Sequence, residues 1–211
     1  MAETSFIRGL ASAPRLFDAL RWVLEGGYRG HHRVIREHLA HAGRTLDLGC
    51  GTGIYARFFA PAQYLGIDIS PAYVAAARSK YPDHRFEVHD ASSTRFADSM
   101  FDACMISGVL HHLDDDMASR VLQEASRVVR PGGLLVIWED IPAAWWNVVG
   151  HVIHRLDLGN YIRRPVEYRA RIERHLDVVQ SSAMRSGAMD YQVFVARPRR
   201  DRETQALLAP A

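Results

Sequence analysis

A chain of 211 residues with a formal net charge of +2 has room for one substantial α/β domain, and its balanced charge argues against a dedicated nucleic-acid binder. Its two cysteines, Cys50 and Cys104, are too few for a cysteine-rich zinc site, and no metal site is expected. The start of the chain carries no continuous apolar signal segment, and no apolar run reaches the roughly 18 residues that span a bilayer. A reducing, cytoplasmic setting is the expectation.

Taken in order, residues 1–13 read as a leader. Pro14 opens a helix through about Glu25, with Leu16, Phe17, Leu20 and Leu24 on its apolar face, and Gly26-Gly27 ends it. A second helix is expected over about 31–41. Residues 1–41 therefore predict a helical cover, either a packing hairpin or, through Tyr28, a contact to substrate. A strand then ends at Leu48 and meets glycines at 49, 51 and 53. Ile54–Phe59 is expected to continue as a helix whose first backbone donors face a polar ligand.

Gln63–Asp68 reads as a second strand ending in an acid. Ser70 and Pro71 supply an N-cap and N1 pair for a helix over 71–80. Residues 84–89 form a third strand leading to Asp90-Ala91, and 101–107 a fourth. The acids Asp114, Asp115 and Asp116 suit the start of a helix reaching Val128 or Val129. Arg130-Pro-Gly-Gly133 turns into a fifth strand, Leu134–Trp138. Residues 142–175 form an aromatic and basic helical insertion. Two strands, 176–183 and 190–196, follow as an antiparallel pair, and 198–211 is a solvated basic tail.

Strands alternating with helices predict a parallel sheet covered on both faces, with ligands at the carboxyl ends of the strands. The chemistry-bearing residues fall there. Asp68 follows Gly49 by about 20 residues, the spacing at which an acid meets ribose hydroxyls. The Gly-x-Gly-x-Gly pattern lacks the third glycine of the dinucleotide fingerprint. Asp47, just before it, would repel a pyrophosphate and favour a cationic amino group. The ligand suggested is one carrying both adenosine and an amino-acid moiety.

Over roughly 40–140 the chain resembles a class I S-adenosylmethionine-dependent methyltransferase. Asp47-Leu-Gly-Cys-Gly-Thr-Gly53 resembles that family's first motif, Gly66-Ile-Asp-Ile-Ser70 its second and Asp90-Ala91 its third. Phe101–His112 resembles its fourth, and Glu124–Gly133 the element before strand five. The resemblance implies a Rossmann-like three-layer sandwich, strand order 3-2-1-4-5-7-6 with strand seven antiparallel, and one methyltransferase domain over 1–197. It also implies that Asp47 and the loop of Gly49, Cys50, Gly51 and Gly53 hold the methionine portion of S-adenosylmethionine. Asp68, with Ile69 beside it, would take the ribose, Asp90 and Ala91 the adenine, and Ser107 the region of the amino group.

Methyl transfer is an in-line displacement in which the cofactor supplies the activated methyl group and the protein orients the acceptor. An acceptor hydroxyl needs a base, for which His111 and His112 are the candidates. Glu139 and Asp140 either orient a polar or cationic acceptor or are solvated loop acids. Tyr28, Trp145, Trp146, Tyr161 and Tyr168 are pocket candidates, with His151 and His154 behind them. Arg163, Arg164 and Arg169 either attract an anionic acceptor or form a solvated basic face. The insertion reads as a substrate lid, a homodimer contact or an interfacial segment. No Asn-Pro-Pro-Tyr-like element follows strand four, which favours a small metabolite, methylated at oxygen or nitrogen, over nucleic acid or protein. Two further readings are a phospholipid N-methyltransferase making peripheral membrane contact and a noncatalytic S-adenosylmethionine-binding scaffold.

Overall fold

The computed structural model describes residues 19, 21–147, 150–151 and 161–199. Seven strands form one sheet: β1 (Thr45–Leu48), β2 (Tyr64–Asp68), β3 (Arg85–Val88), β4 (Phe101–Ser107), β5 (Val129–Asp140), β6 (Leu176–Ser186) and β7 (Met189–Pro198). Their order is β3-β2-β1-β4-β5-β7-β6. The first five strands pair in parallel, and β7 runs antiparallel to both its neighbours. The expected topology is the one found.

Period-two alternation sorts each central strand between two cores. Leu46, Leu48, Cys104, Ile106, Leu135 and Ile137 pack on one face against helices α3 (Asp115–Val128) and α4 (Pro165–Ile172). The intervening Ala103, Met105, Val136 and Trp138 face α1 (Arg29–His38) and α2 (Pro71–Lys80). Both faces of the sheet are covered, which is why these strands read as nearly continuous apolar runs. Ser70 caps α2 through Tyr73 N–H, and Asp114 caps α3 through Met117 N–H at 2.8 Å, as their positions predict.

Several local expectations are corrected. Residues 54–59 form no α-helix; there is one 3₁₀ turn, Ala56–Phe58, followed by another at Pro61–Gln63. Ala60, held extended before Pro61, stops the chain from coiling further. The final hairpin is longer than expected and turns at Gly187, whose φ is 58°. The tail begins later as well: Pro198 still pairs with Leu176, and the Arg199 guanidinium reaches Asp177 and the carbonyl of Arg174. Of the expected helix 14–25, residues 21–24 are helical, while its opening at Pro14 lies outside the described residues.

The end of that segment is fastened to the last hairpin. Ala188 N–H donates to Leu24 O at 2.8 Å, and Ser186 Oγ donates to Glu25 O at 2.8 Å. Gly26 and Gly187 make this approach feasible, because a Cβ on Gly26 would lie 3.1 Å from Gly187 Cα. Residues 21–28 of the cover thus lie against the β6–β7 turn, at the carboxyl end of the parallel strands.

Candidate functional site

Each glycine of the loop after β1 answers a different constraint. A Cβ on Gly49 would clash with Val109, and one on Gly53 would come within 2.7 Å of the Phe86 ring. Gly51 is different, since a Cβ there would meet nothing within 4 Å. It borders open space, at the edge where β1 and β4 lead away in opposite directions across the sheet. Open α/β sheets bind ligands at that switch point. Gly51 N–H donates to Asp68 Oδ2 at 2.9 Å and Ser70 N–H to Asp68 Oδ1 at 2.8 Å. Both oxygens of this half-buried carboxylate are thereby aimed, and each retains a lone pair for a hydroxyl donor.

Asp90, exposed beyond β3, accepts from Ser92 N–H and Ser92 Oγ, both at 2.8 Å. Those bonds hold its carboxyl below the usual range, so it is an ionised acceptor near neutrality. Ala91 is half-buried beside it, and Ile69, next to Asp68, is 71% exposed, leaving an apolar surface at the same edge. Cys50 lies beneath the loop, where burial pushes its thiol up and leaves it unreactive.

Asp47 sits within β1, facing the α1 side, and is 1% exposed. Its Oδ2 accepts from the Tyr64 hydroxyl at 2.6 Å, while Oδ1 is buried with no hydrogen-bond partner among the described residues. Burial pushes the carboxyl up to about 7; the Tyr64 bond opposes that shift, and the Asp68 charge adds to it. An unsatisfied buried acceptor under the loop, open space at Gly51 and two aimed carboxylates fit a ligand with an ammonium group and a ribose diol. Asp47, Gly51, Asp68 and Asp90 are the residues that could hold it.

The carboxyl ends of β4 and β5 are joined by a buried clamp. Glu139, 0% exposed, accepts four hydrogen bonds: from Val109 N–H at 2.9 Å, Leu110 N–H at 2.8 Å, His111 N–H at 3.3 Å and His111 Nδ1 at 2.8 Å. His111 Nε2 lies 3.6 Å from Asp140 Oδ2. This corrects the expectation for Glu139, which orders the 108–111 turn and turns no face to an acceptor. It also separates the two histidines, with His111 enclosed between carboxylates and His112 exposed, their rings 4.0 Å apart.

Two further expectations, for Arg163 and Tyr168, are corrected by burial. Arg163 is buried and donates to the carbonyls of Leu110 and Leu113 and to Asp115. Tyr168 is 1% exposed within the core beneath it. Arg164 pairs with Glu167 at the start of α4, and Arg169 pairs with Glu173. Arg163 thus fastens this segment to residues 110–115, whereas Arg164 and Arg169 stay exposed and pair only with near neighbours in sequence, as a solvated basic face. Tyr161 is exposed and its N–H bonds His111 O at 3.0 Å. Trp145 and Trp146 are exposed, with the Arg185 guanidinium 4.4 Å over the Trp146 ring. Arg185 also borders a cavity of about 290 Å³ lined by Ile141, Pro142, Ala144, Met184 and Tyr191. His151 is exposed, and His154 lies outside the described residues. Among the described residues, no group of histidine, cysteine and acidic side chains could hold a metal ion.

Sequence reasoning missed a polar group under the cover. Glu25, His31, Tyr55 and Tyr191 are all buried, His31 and Tyr55 lie against the Trp138 ring, and Ser107, half-buried at the end of β4, touches Tyr55. Tyr28, expected in a substrate pocket, is buried in the same group, 5.5 Å from the His31 ring. The available signal was a tyrosine two residues beyond the third glycine and a histidine pair opening the second predicted helix.

Residues 46–137 match the model of the methyltransferase domain family. A demethylmenaquinone methyltransferase of Beutenbergia cavernae is 38% identical over 104 residues, covering 48% of this chain and 42% of that protein. A malonyl-acyl-carrier-protein O-methyltransferase of Pectobacterium atrosepticum is 33% identical over 121 residues, covering 53% and 47%. The chain thus spans less than half the length of these relatives. In fold it is similar to the N-methyltransferase NodS of Bradyrhizobium japonicum WM9, solved in complex with S-adenosyl-L-homocysteine. That likeness has a TM-score of 0.66 and 18% identity, and covers 82% of this chain and 88% of that one.

Proposed function

We propose that this chain, which carries a class I methyltransferase domain, transfers a methyl group from S-adenosylmethionine to an oxygen or nitrogen of a small, hydrophobic metabolite. The observation that carries the reading is the Gly51–Asp68 pairing beside open space at the switch point. Bound there, the cofactor supplies a methyl group activated by its positive sulfur. Asp68 accepts from its ribose hydroxyls, Asp90 from the adenine amino group, and Asp47 and the loop face its amino-acid end. Ser107 lies on the opposite wall of the same crevice.

On the acceptor side, the cavity bordered by Ile141, Pro142, Met184 and Tyr191 has apolar walls and a single charged pair, Arg185–Asp190 at 3.4 Å. Its position at the ends of β5 and β7 supports a flat or aliphatic molecule entering beside the methyl donor. The relatives named for demethylmenaquinone and for a malonyl carrier support the small-molecule class. No helix among the described residues is long and apolar enough to cross a membrane.

Calorimetric titration with S-adenosylmethionine tests the reading. Binding is expected, and Asp68→Ala should weaken it by at least about tenfold, since hydrogen bonds to a charged acceptor contribute about 1.5–3 kcal/mol each. Unchanged affinity in that variant would remove Asp68 from the ribose site.

A further inference from the structure

Beneath the cover, polar side chains that the proposed transfer leaves unused form a line. Glu25 is 2% exposed; its Oε1 accepts from Arg21 Nε at 2.6 Å and its Oε2 from the Tyr191 hydroxyl at 2.8 Å. Glu25 Oε2 also lies 3.1 Å from His31 Nε2, and His31 Nδ1 meets the Tyr55 hydroxyl. Ser107 Oγ is 3.5 Å from that hydroxyl. The line starts on the cover and ends between the glycine loop, which carries Tyr55, and the end of β4, which carries Ser107. Those two segments are the walls of the switch-point crevice.

The order of groups gives the line a direction. His31 Nε2 faces the Glu25 carboxylate without a hydrogen bond to it, and the negative charge there favours keeping the proton of the neutral ring on Nε2, which leaves Nδ1 to accept from Tyr55. Burial lowers the affinity of His31 for a second proton, and the charges of Arg21 and His32 lower it further, so the imidazole starts neutral. The rings of Tyr28, Trp138 and Tyr191 surround it and keep bulk water from supplying a proton instead.

We propose that Tyr55 is the catalytic proton acceptor of the methyl transfer, with His31 and Glu25 as positioning residues behind it, and that the methyl acceptor is therefore a hydroxyl group. This rests on the transferase reading above and deepens it. As the acceptor oxygen bonds the methyl carbon, the carbon–sulfur bond breaks and its electron pair stays on sulfur. The acceptor's proton passes to Tyr55 Oη, and the phenol's own proton passes to His31 Nδ1. The positive charge lost at sulfur reappears on the imidazole, beside the Glu25 carboxylate.

Two measurements on the full chain decide it. In the S-adenosylhomocysteine-bound protein, ¹⁵N shifts of His31 should show an Nε2–H tautomer with an unprotonated Nδ1 at neutral pH. An Nδ1–H tautomer or an imidazolium would overturn the proposal without touching the transferase reading. Tyr55→Phe and Glu25→Gln should then be assayed with radiolabelled cofactor on a panel of phenols, hydroquinones, carboxylic acids and amines. Removing a proton acceptor should lower kcat by about 100-fold with cofactor affinity within about threefold by calorimetry. The Glu25→Gln variant should keep the cofactor and alter the pH profile of kcat. Unchanged kcat in Tyr55→Phe, a parallel loss of cofactor affinity, or a preference for amines would sink it. Cofactor binding with no transfer to any panel member would also count against a hydroxyl acceptor, and complete absence of cofactor binding would refute the transferase reading itself.

Discussion

Glu139 offers the sharpest separation between a ligand contact and a structural clamp. Its carboxylate has no exposed face and satisfies Val109, Leu110 and His111 from one side of the sheet end. Glu139→Ala leaves those donors facing a side-chain-sized void. A buried donor without a partner costs about 1–3 kcal/mol, so the three backbone N–H groups together lose about 3–9 kcal/mol, partly relieved if water enters. Against a total stability of about 5–15 kcal/mol that is a large fraction. Glu139→Gln keeps one acceptor oxygen and should lose about 1–2 kcal/mol. Urea unfolding monitored by tryptophan fluorescence would show a lower midpoint at constant slope, and the Ala variant's Tm should fall by about 10–15 °C. An Ala variant within about 0.5 kcal/mol of wild type would refute the clamp and return Glu139 to the acceptor site.

Other outcomes follow from the loop and its buried acid. Asp47 is raised to about 7 in the folded chain, against an ordinary value of 3.8, so the folded state holds a proton that the unfolded state has lost. Stability from this group is greatest below about pH 4 and falls as pH rises to about 7. Asp47→Asn should flatten that limb and raise the unfolding midpoint at pH 8; a variant with an unchanged pH profile would refute the burial argument. If the ionised Asp47 meets the cofactor's ammonium group, wild-type affinity should rise through the same window, and the Asn variant's should not. Gly49→Ala should destabilise the fold through Val109, whereas Gly51→Ala, with open space around it, should cost only about 1 kcal/mol of left-handed backbone strain and weaken cofactor binding instead. Equal losses of stability in both would contradict the assignment of Gly51 to the ligand edge.

The sheet was legible because each of its strands carries a local signature. Leu46 and Leu48 alternate with Thr45 and Asp47, Ser70-Pro71 and Asp114 announce helix starts, and Gly49 and Gly53 mark packing so tight that a methyl group would collide. These are interactions between near neighbours, or consequences of one residue type at one position. The helix expected over 54–59 failed because only Ala56 and Arg57 there are strong helix formers and Ala60, held extended before Pro61, leaves room for no more than a 3₁₀ turn. Glu139 and Arg163 looked like ligand contacts because a charged residue in a sequence shows its charge but not its partners. Their partners, at 109–111 and at 110, 113 and 115, come from other elements.

The same reason hid the group around His31. Its bonds run from the cover to the glycine loop, to β4 and to β7, and the pair Glu25–Tyr191 is 166 residues apart in sequence. Such a network has a consequence for how the cover behaves. Leu24 and Glu25 are tied to the 186–188 turn through their backbone carbonyls, bonds that need no particular side chain on the cover, while His31 and Glu25 reach Tyr55 and Tyr191 through side chains alone. Removing the side-chain bonds should therefore leave the cover docked but change what lies beneath it. Hydrogen exchange at the amides of 24–28 should stay protected in Tyr55→Phe and be lost only when the 186–188 turn is disturbed. Faster exchange across 24–28 in Tyr55→Phe would mean that the buried line is a fastening for the cover rather than a route for a proton.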